Sequence, residues 1–269
     1  HTANKRGMAE LTNTYKYALY LDSKDINSIQ ILEKWFQFDF FDKEQAVIIF
    51  RYYPKTIVTF PKELTERGFN YIGYNKFFSI ALGVLPAVFY PFNTNTNPVL
   101  IKQRQTKHIF IGHGESDKEA SINPMIRMYD LIFSSGKTST QRYLDHAIIN
   151  KADIGKRAFE IGMPYIDDQF QKKGIKKSNG MGIYCPTWEG GNKNQQYSSL
   201  KSETSKAILE TALQEFDNLF FMPHPSTGTK DKTYLRDLTT IVRLYSQHPN
   251  FTFIKSLENL ISLTWNKRI

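Results

Sequence analysis

Apolar positions along the chain fall into two alternating patterns. Short runs rich in β-branched and aromatic residues predict strands at Tyr17–Leu21, Val47–Phe50, Thr56–Phe60, Pro86–Tyr90, Ile109–Ile111 and Leu131–Phe133. Longer polar stretches between them carry apolar residues at helical spacing, as at Ile29, Leu32, Trp35 and Phe36. Such alternation predicts an α/β fold, doubly wound about a parallel sheet. The longest apolar run, Phe77 to Phe92, has 16 residues and is interrupted by Ser79, Gly83 and Pro86. It falls short of the roughly 18–20 residues of a membrane-spanning helix and reads as a helix followed by a buried strand.

The pattern breaks between Asp167 and Gly182, where Lys172, Lys173, Lys176 and Lys177 accompany three glycines and almost nothing apolar. This stretch reads as an interdomain linker with a solvated basic face. The α/β pattern then restarts. Strands are predicted at Gly182–Cys185, Leu219–Met222 and Phe251–Ile254, and helical stripes at Ile208, Leu209, Ala212, Leu213 and Phe216 and at Leu235, Leu238, Val242 and Tyr245. The expected organisation is a first lobe over residues 8–168, a linker over 169–181 and a second, short lobe over 182–269, with a cleft between the lobes. Residues 1–7 precede Met8 and are left out of the fold reading.

Composition narrows the function classes. The chain has 269 residues, of which 41% are hydrophobic and 14% aromatic, which excludes a disordered or fibrous chain. A single cysteine excludes a disulfide scaffold and any cluster held by several thiolates. No signal peptide is visible, so a soluble, cytoplasmic protein is expected. The formal charge of +9 suits nucleic acid, an anionic membrane surface or a phosphate-rich substrate. No nucleic-acid-binding signature accompanies it, and the aromatics fall mostly in core stripes, so a nucleic-acid partner is not expected.

In doubly wound sheets ligands bind beyond the carboxyl ends of the strands, so the segments that follow strands are the informative ones. Ile109–Ile111 runs into Gly112-His113-Gly114-Glu115-Ser116-Asp117-Lys118, where flanking glycines present an imidazole and Glu115 and Asp117 offer it partners. Leu131–Phe133 runs into Ser134-Ser135-Gly136, which is either an anion pocket at a helix start or a plain capping cluster. Gly182–Cys185 ends in Pro186-Thr187-Trp188; Trp188 can stack on a base or a sugar, or can simply be an interfacial aromatic. Leu219–Met222 ends in Pro223-His224-Pro225, where two prolines stiffen the backbone around a histidine. Cys185 reads as a small buried residue rather than a nucleophile, and His108 and His248 as structural. Two histidines at strand ends can divide the labour, one taking a proton from an attacking hydroxyl and the other steadying phosphate charge. No carboxylate cluster with metal-ligand spacing lies near them, so neither metal nor cofactor is expected.

Five segments in order resemble the CDP-glycerol glycerophosphotransferases, the teichoic acid and capsule-polymer enzymes. They are Gly112-His113-Gly114, Tyr129 to Gly136, Gly162-Met163-Pro164, Tyr184 to Trp188 and Pro223-His224-Pro225. The resemblance covers roughly residues 85 to 260 and implies a GT-B-like pair of Rossmann-like lobes. The implied activity is transfer of glycerol phosphate, or a related polyol phosphate, from a CDP-linked donor to the hydroxyl end of a cell-surface polymer. It implies His113 as general base and His224 as contact to the donor pyrophosphate. Thr187, Trp188, Ser134, Ser135 and Gly136 would line the donor site, with Gly112, Gly114, Glu115 and Asp117 in support. The implied partners are the CDP-linked donor and a lipid-linked or polymeric anionic acceptor, met by peripheral contact at the inner face of the cell membrane. The first motif differs from the Trp-His-Gly-Thr of the wall polymerases, which implies another acceptor. The family's Asp-Tyr-Ser-Ser donor segment is not reached before Ile269, which implies an incomplete donor site within these residues. The other readings are a glycosyltransferase using a CMP- or UDP-linked sugar and a non-catalytic binder of polyanions.

Overall fold

A computed structural model describes residues 15–37, 39–54, 56–74, 82–83, 85–114, 116, 118–163, 180–190 and 196–255. The chain divides into two compact units, His1–Gly174 and Ile175–Ile269. In the first, seven parallel strands lie in the order β3-β2-β1-β4-β5-β6-β7. They are β1 (Tyr17–Leu21), β2 (Ala46–Arg51), β3 (Tyr71–Tyr74), β4 (Ala87–Tyr90), β5 (Lys107–Phe110), β6 (Leu131–Ser134) and β7 (Ala158–Glu160). The chain moves outward from β1 to β3 and then restarts on the other side of β1 with β4. The strand order therefore reverses between β1 and β4, at the edge where such sheets open a crevice.

Both faces of this sheet are buried. Ala18 and Tyr20 of β1 enter one core with Val47 and Ile49 of β2, while Leu19, Leu21, Ile48 and Phe50 enter the other. A strand buried on both sides reads as a continuous apolar run, which is why β1 and β2 are visible in the sequence. The predicted helical stripe Ile29, Leu32, Trp35 and Phe36 lies on α1 (Asn27–Gln37) and packs into the second core. α2 (Thr59–Glu66) joins it through Phe60 and Leu64, and Tyr143 of α4 (Lys137–Asp145) packs into the first. A short helix, α3 (Pro98–Ile101), follows β4.

One expectation changes, and two strands join the sheet that the apolar runs do not mark. Thr56–Phe60 is not a strand: residues 56–58 turn and α2 begins at Thr59, with Pro61 in the first helical turn, where a missing N–H costs nothing. The sheet position beside β2 belongs instead to β3. Its sequence, Tyr-Ile-Gly-Tyr, hides the strand because Gly73 interrupts it, and a Cβ at Gly73 would collide with the ring of Tyr52. β7 is three residues long and has no apolar run to betray it. The helix expected at the start of the Phe77–Phe92 run falls largely outside the described residues, whereas its strand is β4.

The second unit holds a three-stranded parallel sheet, β10-β9-β8, made of β8 (Met181–Tyr184), β9 (Asn218–Phe221) and β10 (Phe251–Phe253). Residues 169–179 of the expected linker lie outside the described residues, and Met181 already belongs to β8. α5 (Ser202–Glu215) and α6 (Lys232–Tyr245) pack on this sheet around Leu209, Leu219, Phe221, Tyr234 and Ile241, with Ala212, Leu213, Leu238, Val242 and Tyr245 of the predicted stripes against them, whereas Leu235 is exposed. The likeness between units is architectural: parallel strands, crossover helices and long loops at the carboxyl edge.

His108, in β5, is 1% exposed. Its Nε2–H donates to the Gln103 carbonyl at 3.1 Å, so its Nδ1 accepts the Tyr90 hydroxyl at 2.7 Å. Burial lowers its pKa, with the Gln103 carbonyl and Asp130 opposing. The unfolded chain thus binds this proton more readily, and stability falls as pH drops through the ordinary histidine value of 6.5. Melting temperature measured from about pH 8 to about pH 5.5 should decline, and His108→Gln should remove most of the part of that slope due to this site.

Candidate functional site

In the second unit all three strands end at one edge, and a cavity of about 270 Å³ opens there. Cys185, Pro186 and Thr187 line it from the end of β8, Met222 to Pro225 from β9 and Lys255 from β10. The sheet ladder runs on into these loops: the Met222 amide donates to the Tyr184 carbonyl at 3.0 Å, His224 to Pro186 at 3.2 Å and Ile254 to Phe221 at 2.9 Å. The ring of His224 lies parallel to Trp188, with centroids 6.0 Å apart at 22°. Its Nδ1 accepts the Ser226 amide at 3.0 Å. In the neutral ring the proton therefore sits on Nε2, which makes His224 a hydrogen-bond donor. The Thr187 carbonyl accepts the Ser198 hydroxyl at 2.5 Å, which pins the backbone of that loop.

A residue missed at the sequence level holds these two loops together. Glu189 is 2% exposed, and its carboxylate accepts the amides of Gly228 at 3.0 Å, Lys230 at 2.9 Å and Asp231 at 3.2 Å. Burial alone would raise its pKa, but these bonds and one from its own amide outweigh that and hold it below the usual carboxylate value. The ionised side chain thus ties the Trp188 segment to the loop that carries His224. A buried carboxylate is the signal that identifies it, and burial is not written in the sequence.

In the first unit His113 follows β5, just after Gly112, whose φ of 65° is a conformation open to glycine. Its Nδ1 donates to the Pro91 carbonyl at 2.8 Å, and its ring lies 4.6 Å from that of Phe92. A carbonyl can only accept, so in the neutral ring the proton is on Nδ1 and Nε2 keeps its lone pair. His113 is exposed and in the tautomer of a base. Its support, the segment after β4, is fixed in turn from the end of β1. Asp22 is 7% exposed and accepts the hydroxyls of Tyr53, Thr96 and, at 3.3 Å, Thr94, with Arg51 3.8 Å away. Burial and the hydrogen bond to Asp22 push the Tyr53 hydroxyl up to about 12. Asn97 completes the link by donating to the Phe92 carbonyl at 2.7 Å.

The other predicted residues are placed differently. The Ser134 hydroxyl is 2% exposed and bonded to Thr140 at 2.9 Å, so it is used inside the lobe. Ser135 and Gly136 lead into α4 without lining the cavity above. The wider hollow of about 490 Å³ on that helix is bounded instead by Lys137, Thr138, Gln141, Arg142 and Asp145 on its exposed side. Glu115 and Asp117 lie outside the described residues, and Gly114 stands beside His113 with its φ at 149°. Cys185 is exposed rather than buried, because it is the first residue past β8, where the sheet no longer covers it. Partial burial nonetheless raises its thiol pKa. Among the described residues no group of three or more His, Cys, Asp and Glu side chains could hold a metal ion, and no helix is long and apolar enough to cross a membrane.

No protein-family model matches the chain, and no curated protein matches it by sequence. Solved structures do. The chain is similar to the lipopolysaccharide outer core galactosyltransferase WaaB, with a TM-score of 0.51 and 9% identity over 94% of this chain and 72% of that one. It is similar to Anabaena Alr3699/HepE in complex with UDP and glucose, with a TM-score of 0.49 and 11% identity over 89% and 69%. It is also similar to the wall teichoic acid polymerase TagF soaked with CDPG, with a TM-score of 0.46 and 12% identity over 94% and 64%. The first of these likenesses identifies the fold as GT-B-like α/β; at such identities the likeness extends to the fold alone.

Replacing the Glu189 carboxylate removes its charge and leaves part of the amide cluster unpaired. Glu189→Gln is expected to destabilise the second unit by about 2 kcal/mol in denaturant unfolding. Because the folded-state pKa is depressed, the wild-type contribution is complete above the unfolded value of 4.5 and is lost as pH falls through the folded one. The gap between wild type and variant should therefore narrow in acid.

Proposed function

We propose that the protein is a transferase that moves glycerol phosphate, or a related polyol phosphate, from a CDP-linked donor to the hydroxyl end of a cell-surface polymer. The observation that carries the reading is the pair of opposite histidine tautomers. In the neutral rings His113 has its lone pair on Nε2 and His224 has its proton there. One suits a proton acceptor and the other a donor to phosphate oxygen, which is the division of labour that attack by a hydroxyl on a diphosphate needs.

In this reaction the acceptor hydroxyl loses its proton to His113 Nε2 as its oxygen forms a bond to the phosphorus nearer the polyol. The bond from that phosphorus to the bridging oxygen breaks, and CMP leaves with the electron pair. His224 hydrogen-bonds the charge that collects on the diphosphate. Trp188, already parallel to His224, offers a face to the nucleoside, and Thr187 a hydroxyl to phosphate. The formal charge of +9 favours an anionic acceptor and contact with the inner face of an anionic membrane.

Removing either imidazole should reduce transfer without unfolding the protein, since both side chains are exposed. His113→Ala and His224→Ala are each expected to lower turnover about 10²-fold or more, measured as CMP release from CDP-glycerol with a polymer acceptor. Full turnover in both variants would defeat the proposal. CDP-glycerol, CDP-ribitol and UDP- or CMP-linked sugars compared side by side test the donor; turnover with the sugars alone would replace phosphate transfer by glycosyl transfer.

A further inference from the structure

We infer that Lys255 is the binding cation of the cavity at the carboxyl edge of the small sheet, and that with His224 it takes the diphosphate group of a nucleotide donor. The ligand class rests on the function proposed above; the assignment of the anion site rests on the cavity itself. Tyr184 pairs with Phe221, and Phe221 with Phe253, so the residues two places beyond each strand are Pro186, Pro223 and Lys255. Because β9 is the central strand, Lys255 enters the cavity from one side of the His224 loop and Thr187 from the other.

The lining explains why a lysine is needed. Sites for phosphate at strand ends usually collect backbone amides around the anion. Here Pro186, Pro223 and Pro225 line the cavity and have no N–H to give. The His224 amide is used by Pro186, and the Ser226 amide by His224 itself. Fewer main-chain donors are therefore left here than at a strand end without prolines, and the Lys255 ammonium supplies positive charge beside the His224 ring. Among the described residues that line the cavity there is no carboxylate, and the lysine gives it a field that favours an anion.

Cys185, the chain's one thiol, lines the same cavity and reports occupancy directly. Inorganic pyrophosphate at millimolar concentration should slow modification of wild-type Cys185 by N-ethylmaleimide at least fivefold, while uncharged cytidine and glycerol should not. Lys255→Met should weaken pyrophosphate and CDP binding about tenfold or more by calorimetry, and Lys255→Arg should retain most of it. Lys255 is exposed, so all three proteins should melt alike. No protection of the wild type, or equal protection in Lys255→Met, would overturn the inference. Transfer from CDP-glycerol with an unchanged donor KM in Lys255→Met would overturn it while sparing the proposed function. Protection and Lys255-dependent binding without any transfer would sustain the anion site and reject the function instead.

Discussion

The constraint on which both units depend is the parallel direction of every strand. A parallel sheet sends all its carboxyl ends to one edge, and crossover helices carry the chain back behind it. Loops from strands far apart in sequence must therefore meet at that edge. His113 with the segment after β4 in one unit, and Thr187, His224 and Lys255 in the other, are neighbours for this reason alone. An antiparallel arrangement of the same strands would divide these loops between opposite edges.

Bringing loops together does not hold them still, and each unit uses one buried carboxylate for that task. Asp22 gathers hydroxyls from the loops after β2 and β4, and Glu189 gathers amides from the loop after β9. In both cases the acid belongs to one strand-end loop and its partners to another, so the charge is spent on geometry. A buried ionised group is costly unless its lone pairs are filled, and these are filled by three partners or more. The histidines are thus exposed side chains on rigid supports.

How much of this the sequence discloses follows from what burial does to composition. β1, β2, β4 and β6 are mostly apolar runs because the large sheet is covered, and the stripe on α1 is regular because one face of that helix is buried; the second unit is less fully covered, with Ile183 of β8 51% exposed. β3 escapes because Gly73 serves the approach of Tyr52, and Thr56–Phe60 misleads because β-branched residues there occupy a turn, with Val58 72% exposed. The position after a strand singles out His113, His224, Thr187 and Trp188, and the structure places all four in strand-end loops. It failed for Ser134, whose hydroxyl turns inward, and for Cys185, which faces solvent. Asp22, Glu189 and Lys255 carry no motif, because each takes its meaning from partners distant in sequence.

The tautomers show most plainly what folding adds to residue type. In the sequence His113 and His224 are equivalent, each flanked by conformationally special residues, glycines in one case and prolines in the other. The backbone separates them. After β5 a carbonyl from the neighbouring β4 loop meets Nδ1 and puts the proton there; after β9 an amide two residues ahead meets Nδ1 and drives the proton to Nε2. Neither bond involves an ionised partner, so the distinction does not fade with salt and survives wherever both rings stay neutral. The fold thus leaves a lone pair on Nε2 of one neutral imidazole and a proton on Nε2 of the other, and it does so with main-chain groups. Side-chain substitutions elsewhere in these loops can therefore leave the assignment intact, because both partners of Nδ1 are main-chain groups.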